Sequence, residues 1–197
     1  VTAFAYSETS LQPGVFVAVV GPSGVGKDTV LSHLRSQIGA REGFLFPKRI
    51  ITRCSDASEE LIEIDKRNFE AQKLAGAFAL SWSAHGLDYA VPVSVRSEIV
   101  AGKIVVVNIS RAVIGQVRAA FHRSRIVLVR APLEMRAQRI ARRGRENESD
   151  IRARLARTVD SFAESDADLI LDNSGTPEDT ARTLLDFLVT ISPQIEA

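Results

Sequence analysis

Apolar, β-rich runs alternating with helical patterns predict an α/β fold, a mostly parallel sheet with helices on both faces. Three observations carry this. VFVAVV (15–20) and KIVVVNI (103–109) are continuous apolar runs of strand length, as strands covered on both faces are. Helical spacing follows the first of them, in Val30, Leu31, Leu34 and Ile38, with Gly39 as the stop. A glycine-rich loop, GPSGVGKDT (21–29), joins that strand to that helix.

The later elements keep the same rhythm. RIITR (49–53) reads as a strand, DKRNFEAQKLAGA (65–77) as a helix and FALSWSA (78–84) as extended chain. VSVRSEIVAG (93–102) is a helix ending at Gly102, and RAVIGQVRAAF (111–121) is the helix after KIVVVNI. RIVLVRA (125–131) is a strand closed by Pro132. Two basic helices follow, LEMRAQRIARRG (133–144) and SDIRARLARTVDSF (149–162). ADLILDN (167–173) is the last strand, and PEDTARTLLDFLVTI (177–191) the last helix, with Pro177 in its first turn. Residues 54–90 and 142–150 interrupt the alternation. They read as insertions, where specificity and lid motion reside.

The loop fits the phosphate-binding template G-x-x-x-x-G-K-[ST] at Gly21, Gly26 and Lys27, with Pro22, Ser23, Gly24 and Val25 between the glycines. Its context, strand before and helix after, is the one that template needs. Glycines let main-chain N–H groups wrap a phosphate, the helix N-terminus adds partial positive charge, and a lysine reaches the outer phosphates. This predicts ATP binding, with Mg²⁺ as the accompanying ion.

The last template position departs. Asp28 stands where a hydroxyl is usual, with Thr29 after it. The strand KIVVVNI, which should carry an acidic metal-side residue near its end, has Asn108 instead. The pair suggests that the acid has moved from the strand to the loop. Asp28 is then a metal ligand, since Mg²⁺ takes hard oxygen ligands. The alternative is that Asp28 only caps or ion-pairs the first helical turn. Thr29 is either a second ligand or an ordinary helix residue.

The 197 residues suit one domain, residues 14–193, with 1–13 as a loose tail. A net charge of +1 creates no overall field for nucleic acid or a membrane surface. The single cysteine, Cys54, cannot form an internal disulfide, so a cytoplasmic setting is expected. The first fourteen residues lack the basic start and long apolar middle of a signal peptide.

GPSGVGK, ITR (51–53), HGLDYAVP (85–92) and RRGRE (142–146) together resemble the guanylate-kinase branch of nucleoside-monophosphate kinases. GKD in the loop, LSWSAHGLDYAVP (80–92) and GRENESDIRARLAR (144–157) are similar to one offshoot, the ribose 1,5-bisphosphate phosphokinases. The resemblance runs from about residue 15 to 190. It implies a guanylate-kinase-like P-loop fold with an acceptor-binding insertion and a lid. The implied reaction moves the γ-phosphoryl of ATP onto the 1-phosphate of ribose 1,5-bisphosphate, giving ADP and 5-phosphoribosyl 1-diphosphate, in phosphonate breakdown. The partners implied are a small sugar bisphosphate and ATP.

The resemblance places Arg53 and Tyr89 on the acceptor phosphate and Arg139, Arg143 and Arg154 over the transferring group, with Arg145 also at the substrate. A planar guanidinium suits bidentate phosphate contact, and such cations supply most of what an in-line transfer needs. Arg136, Arg139 and Arg143 share one helix face, which is otherwise a solvated one. His85 and Trp82 read as architectural. The stretch CSDASEELIEID (54–65) lacks the tyrosine of a guanine-reading set. Leu61 stands where the offshoot commonly has histidine, and Glu63 where a small residue is common. Two alternatives remain at this point: a guanylate-type nucleoside-monophosphate kinase, and a non-catalytic binding module of the same fold. Retention of Lys27, Arg143 and Arg154 counts against the module.

Overall fold

The computed structural model describes residues 13–52, 61–84, 86–142 and 162–192. Five strands form the central sheet: β1 (Val15–Val20), β2 (Phe44–Leu45), β7 (Ile104–Asn108), β8 (Ser124–Arg130) and β9 (Leu169–Asp172). Their order is β2-β7-β1-β8-β9 and every pairing is parallel. The continuous apolar runs therefore became central strands, as expected.

The two-residue period of β1 divides the core into two layers. Val15, Val17 and Val19 face Leu31 and Leu34 of α1 (Lys27–Ile38) and Leu184 and Leu188 of α6 (Pro177–Ile191). Phe16, Ala18 and Val20 face Val95 of α3 (Val95–Val100) and Val117 of α4 (Ile114–Ala120). Phe16 also stacks on Phe121 at 4.2 Å. Each fully buried side chain of this size contributes about 1.5–3 kcal/mol, so the sheet is a rigid base for whatever leaves its strand ends. Pro177 occupies the first turn of α6, where Thr176 caps the helix by accepting from the Asp179 amide at 3.2 Å.

A second sheet is built by β3 (Arg49–Ile51), β4 (Leu61–Glu63), β5 (Phe78–Ala84) and β6 (Leu87–Pro92), in the order β4-β3-β6-β5. β3 runs parallel to β4 and antiparallel to β6, and β6 is antiparallel to β5. One face packs Ile50 and Ala90 on Phe69 of α2 (Lys66–Leu74). Leu80 and Val91 instead join the second layer of the central core, so this sheet is fastened to the sheet below.

The RIITR strand belongs to this second sheet and spans only residues 49–51, ahead of the insertion expected to begin at 54. Its apolar residues signal burial but not which sheet supplies the partner. The segment 111–121 opens with a 3-10 turn at Arg111–Val113 before α4 begins. The first basic helix is α5 (Leu133–Ala141). The lid expected over 142–150 and the helix over 149–162 fall, apart from Arg142 and Phe162, outside the described residues. Among the described residues, no helix is long and apolar enough to cross a membrane.

Candidate active site

The glycine-rich loop leaves the C-terminal end of β1, between β7 and β8. Ligands of parallel α/β sheets bind at such ends. Two glycines are obligatory there. Gly24 has φ of 81°, and a Cβ on it would lie 2.6 Å from the Arg136 carbonyl oxygen. Gly26, which caps α1, has φ of 89°, and a Cβ there would lie 2.7 Å from Asn173 Nδ2. Left-handed backbone and a close neighbour coincide at both, so only glycine fits without strain.

Side chains brace the loop from behind by capturing its carbonyls. Arg136 Nε donates to Ser23 O at 3.0 Å. Arg139 donates from one nitrogen to Val25 O at 3.1 Å and from the other to Asn173 O at 3.0 Å. Asn173, only 1% exposed, donates from Nδ2 to Val25 O at 2.7 Å and accepts from Thr180 Oγ1 at 3.0 Å. Lys27 Nζ donates to Gly21 O at 2.8 Å and Pro22 O at 3.1 Å. With these carbonyls taken up, the N–H groups of the loop are left to face a phosphate. Burial pushes the Arg136 guanidinium below its usual pKa, and it stays charged at neutral pH.

Arg139 was expected over the transferring phosphoryl group. Its two terminal nitrogens donate to carbonyls behind the loop, which braces it. Arg53, Arg143, Arg145 and Arg154 lie outside the described residues, as do Cys54 and His85.

Asp28 and Asn108 meet as their exchange of template positions implies. Asn108, 8% exposed at the end of β7, donates from Nδ2 to Asp28 Oδ1 at 2.6 Å. Arg49 of β3 approaches the same oxygen at 3.7 Å. The second oxygen, Oδ2, has no hydrogen bond among the described residues. No group of three or more His, Cys, Asp or Glu side chains that could hold a metal ion occurs among them. A lone carboxylate oxygen beside a phosphate loop is a poor site for a fully protein-caged cation. It does suit Mg²⁺, which binds through one or two carboxylates plus substrate phosphates and water. Thr29 is exposed one residue further along α1.

The second sheet carries polar residues of its own on β3 and β6. Tyr89 of β6 pairs with Ile51 of β3 and with Trp82 of β5, and its ring stacks on Trp82 at 5.5 Å. Thr52 and Asp88 exchange two bonds, Thr52 N to Asp88 O at 3.0 Å and Asp88 N to Thr52 Oγ1 at 2.8 Å. That pinning fixes the chain immediately before Arg53.

This geometry, a braced phosphate loop on a parallel sheet with a second, four-stranded sheet, has counterparts. The described fold is similar to the crystal structure of guanylate kinase from Anaplasma phagocytophilum, with a TM-score of 0.66 over 93% of this chain and 88% of that one. At 16% identity this likeness shows the fold alone. A family model described as AAA domain matches residues 17–160. The ribose 1,5-bisphosphate phosphokinase PhnN of Methylobacterium radiotolerans is 42% identical over 89% of this chain and 98% of its own length. That of Chelativorans sp. is 41% identical over 90% of this chain and 86% of its own. The chain belongs to the ribose 1,5-bisphosphate phosphokinase family. The guanylate-kinase-like P-loop architecture expected from the motifs is present in this family member.

Within this phosphokinase, sequence reasoning did not single out Asn173, Thr180 or Arg49. The signal for Asn173 was an asparagine directly after the apolar run LILD, where a strand end buries a polar group only if it has partners. Asn173→Ala is expected to lower stability by about 1–3 kcal/mol, the cost of stripping a buried hydrogen-bonding group. It should also weaken ATP binding, because Val25 loses one of its two carbonyl donors. Melting curves with and without ATP check both parts. An ATP-induced shift as large as that of the unaltered protein would show that the brace does not shape the loop.

Proposed function

We propose that this chain phosphorylates ribose 1,5-bisphosphate with ATP, yielding ADP and 5-phosphoribosyl 1-diphosphate. The observation that carries the reading is the 42% identity across 98% of the Methylobacterium relative, an extent that takes in the acceptor sheet as well as the phosphate loop. An oxygen of the sugar's 1-phosphate attacks the γ-phosphorus, the bond to the β,γ-bridging oxygen breaks, and ADP leaves with that electron pair. The attacking phosphate is already ionised near pH 7, its second pKa being about 6, so no general base is needed.

The residues divide this work. Loop amides from Gly21 to Thr29 hold the nucleotide's phosphates, and Lys27 exchanges its carbonyl partners for outer phosphate oxygens. Asp28 offers Oδ2 to Mg²⁺, which supplies charge neutralisation when bound. Tyr89 and Arg53 hold the acceptor phosphate, and Arg143, Arg145 and Arg154 close on the reacting groups from the lid side. Arg139 joins them at the transferring group and also braces the loop through Val25 and Asn173. ATP chemistry with a single thiol suits the cytoplasm.

A coupled ADP-release assay with separate acceptors tests the assignment. Turnover with ribose 1,5-bisphosphate and none with GMP is expected. Strong GMP turnover with none on the sugar bisphosphate would make this a guanylate-type enzyme instead.

A further inference from the structure

Arg49 occupies a junction that the reaction scheme above does not use. It is the first residue of β3 in the second sheet, yet its guanidinium reaches Asp28 in the first turn of α1, one residue after Lys27. On β3, Ile50 packs on the far face with Phe69 and Ala90. Alternation therefore puts Arg49 on the face of Ile51 and of its register partner Tyr89. Arg49 lies two positions along β3 from Ile51, about 7 Å away, on the face that Tyr89 of the neighbouring strand also occupies.

The two partners are unequally buried. The Arg49 side chain is 18% exposed against 51% for Asp28, so the arginine is the more buried partner of the pair. The contact is also loose, 3.7 Å to one oxygen, without bidentate geometry. A half-exposed pair of this kind contributes little to stability. It leaves most of the guanidinium's five N–H donors uncommitted among the described residues, and such a fork binds phosphate oxygens well. Asp28 holds it beside the first turn of α1, one residue after Lys27.

We infer that Arg49 grips the accepting phosphate of the sugar bisphosphate, with Asp28 as the anchor that aims its guanidinium. This rests on the acceptor reading above. The accepting phosphate must come within about 3–3.5 Å of the γ-phosphoryl group before transfer. A cation tied to the residue beside Lys27 stands where the repulsion between the two anions is greatest.

The test uses Arg49→Gln and Arg49→Lys in the full chain, with steady-state kinetics for each substrate and direct ATP binding by calorimetry. For Arg49→Gln, kcat/KM for ribose 1,5-bisphosphate should fall about 10²–10³-fold, through KM and kcat together. The Kd for ATP should stay close to that of the unaltered protein, which also certifies folding. Arg49→Lys should recover part of the loss, because a point charge remains without the fork. Unchanged acceptor kcat/KM overturns the inference. An equal loss in ATP affinity also overturns it, since Arg49 would then only offset Asp28 at the nucleotide site. If the unaltered protein is inert toward the sugar bisphosphate, the acceptor reading fails first. The same comparison made with GMP then decides whether Arg49 grips an accepting phosphate.

Discussion

Lys27→Ala is expected to lower kcat/KM for ATP about 10²–10³-fold, the usual cost of deleting one preorganised cationic donor at a transferring group. The unliganded fold should survive. Lys27 is half-buried, and it donates to Gly21 O and Pro22 O, carbonyls of the loop itself. Bonds of this kind are worth about 1 kcal/mol each, which in a domain this size moves the melting temperature by only about 2–4 °C per bond. The signature is therefore a nearly normal melting curve that ATP no longer shifts. In the unaltered protein, ATP at a hundred times its Kd should add about 2.7 kcal/mol of stability, a shift of several degrees. Lys27→Arg should also be impaired, because a planar fork does not fit the space where a single ammonium turns between two carbonyls. Undiminished turnover in Lys27→Ala would remove the phosphate loop from the mechanism.

The loop was legible in the sequence because its chemistry is local. Gly24, Gly26 and Lys27 act within a few residues of one another, and the strand and helix that frame them are fixed by apolar spacing alone. β1 and β7 were legible for a related reason: strands covered on both faces carry no polar interruption. The second sheet was harder. β4 has only three residues, and β3 pairs with β6 across a long stretch of chain, so neither local alternation nor turn residues announce it. RIITR looked like another core strand because burial, not partner identity, is what an apolar run encodes. Asn173, and the contact of Arg139 with the loop, were missed through the same nonlocality. Both act on Val25, more than a hundred residues earlier in the chain, and no spacing rule links positions that far apart. Asp28 and Asn108 are the exception. Each broke a template, and the two departures were complementary, which singled both residues out before their contact was seen.

That complementarity makes an exchange the most informative experiment at the metal side. Asp28→Ser alone removes the carboxylate and should raise the Mg²⁺ concentration needed for half-maximal activity, with turnover falling by about 10-fold or more. Asn108→Asp alone should also be poor. Asn108 Nδ2 donates to Asp28 Oδ1 at 2.6 Å, and a carboxylate in its place sets two like charges against each other in a site 8% exposed on the Asn108 side. The double variant Asp28→Ser, Asn108→Asp restores one acid and one hydroxyl in the ordinary arrangement. It should recover much of the turnover and the Mg²⁺ response that each single change loses. Such recovery is coupling between two residues in direct contact, which additive effects cannot produce. Asp28 also touches Arg49, so the KM for the sugar bisphosphate must be read in the same variants. If Asp28→Ser raises that KM while the Mg²⁺ requirement and the maximal rate stay where they were, the carboxylate serves Arg49 alone. The acid would then not have moved from strand to loop, and a P-loop kinase of this family would operate without a protein carboxylate on its metal at this position.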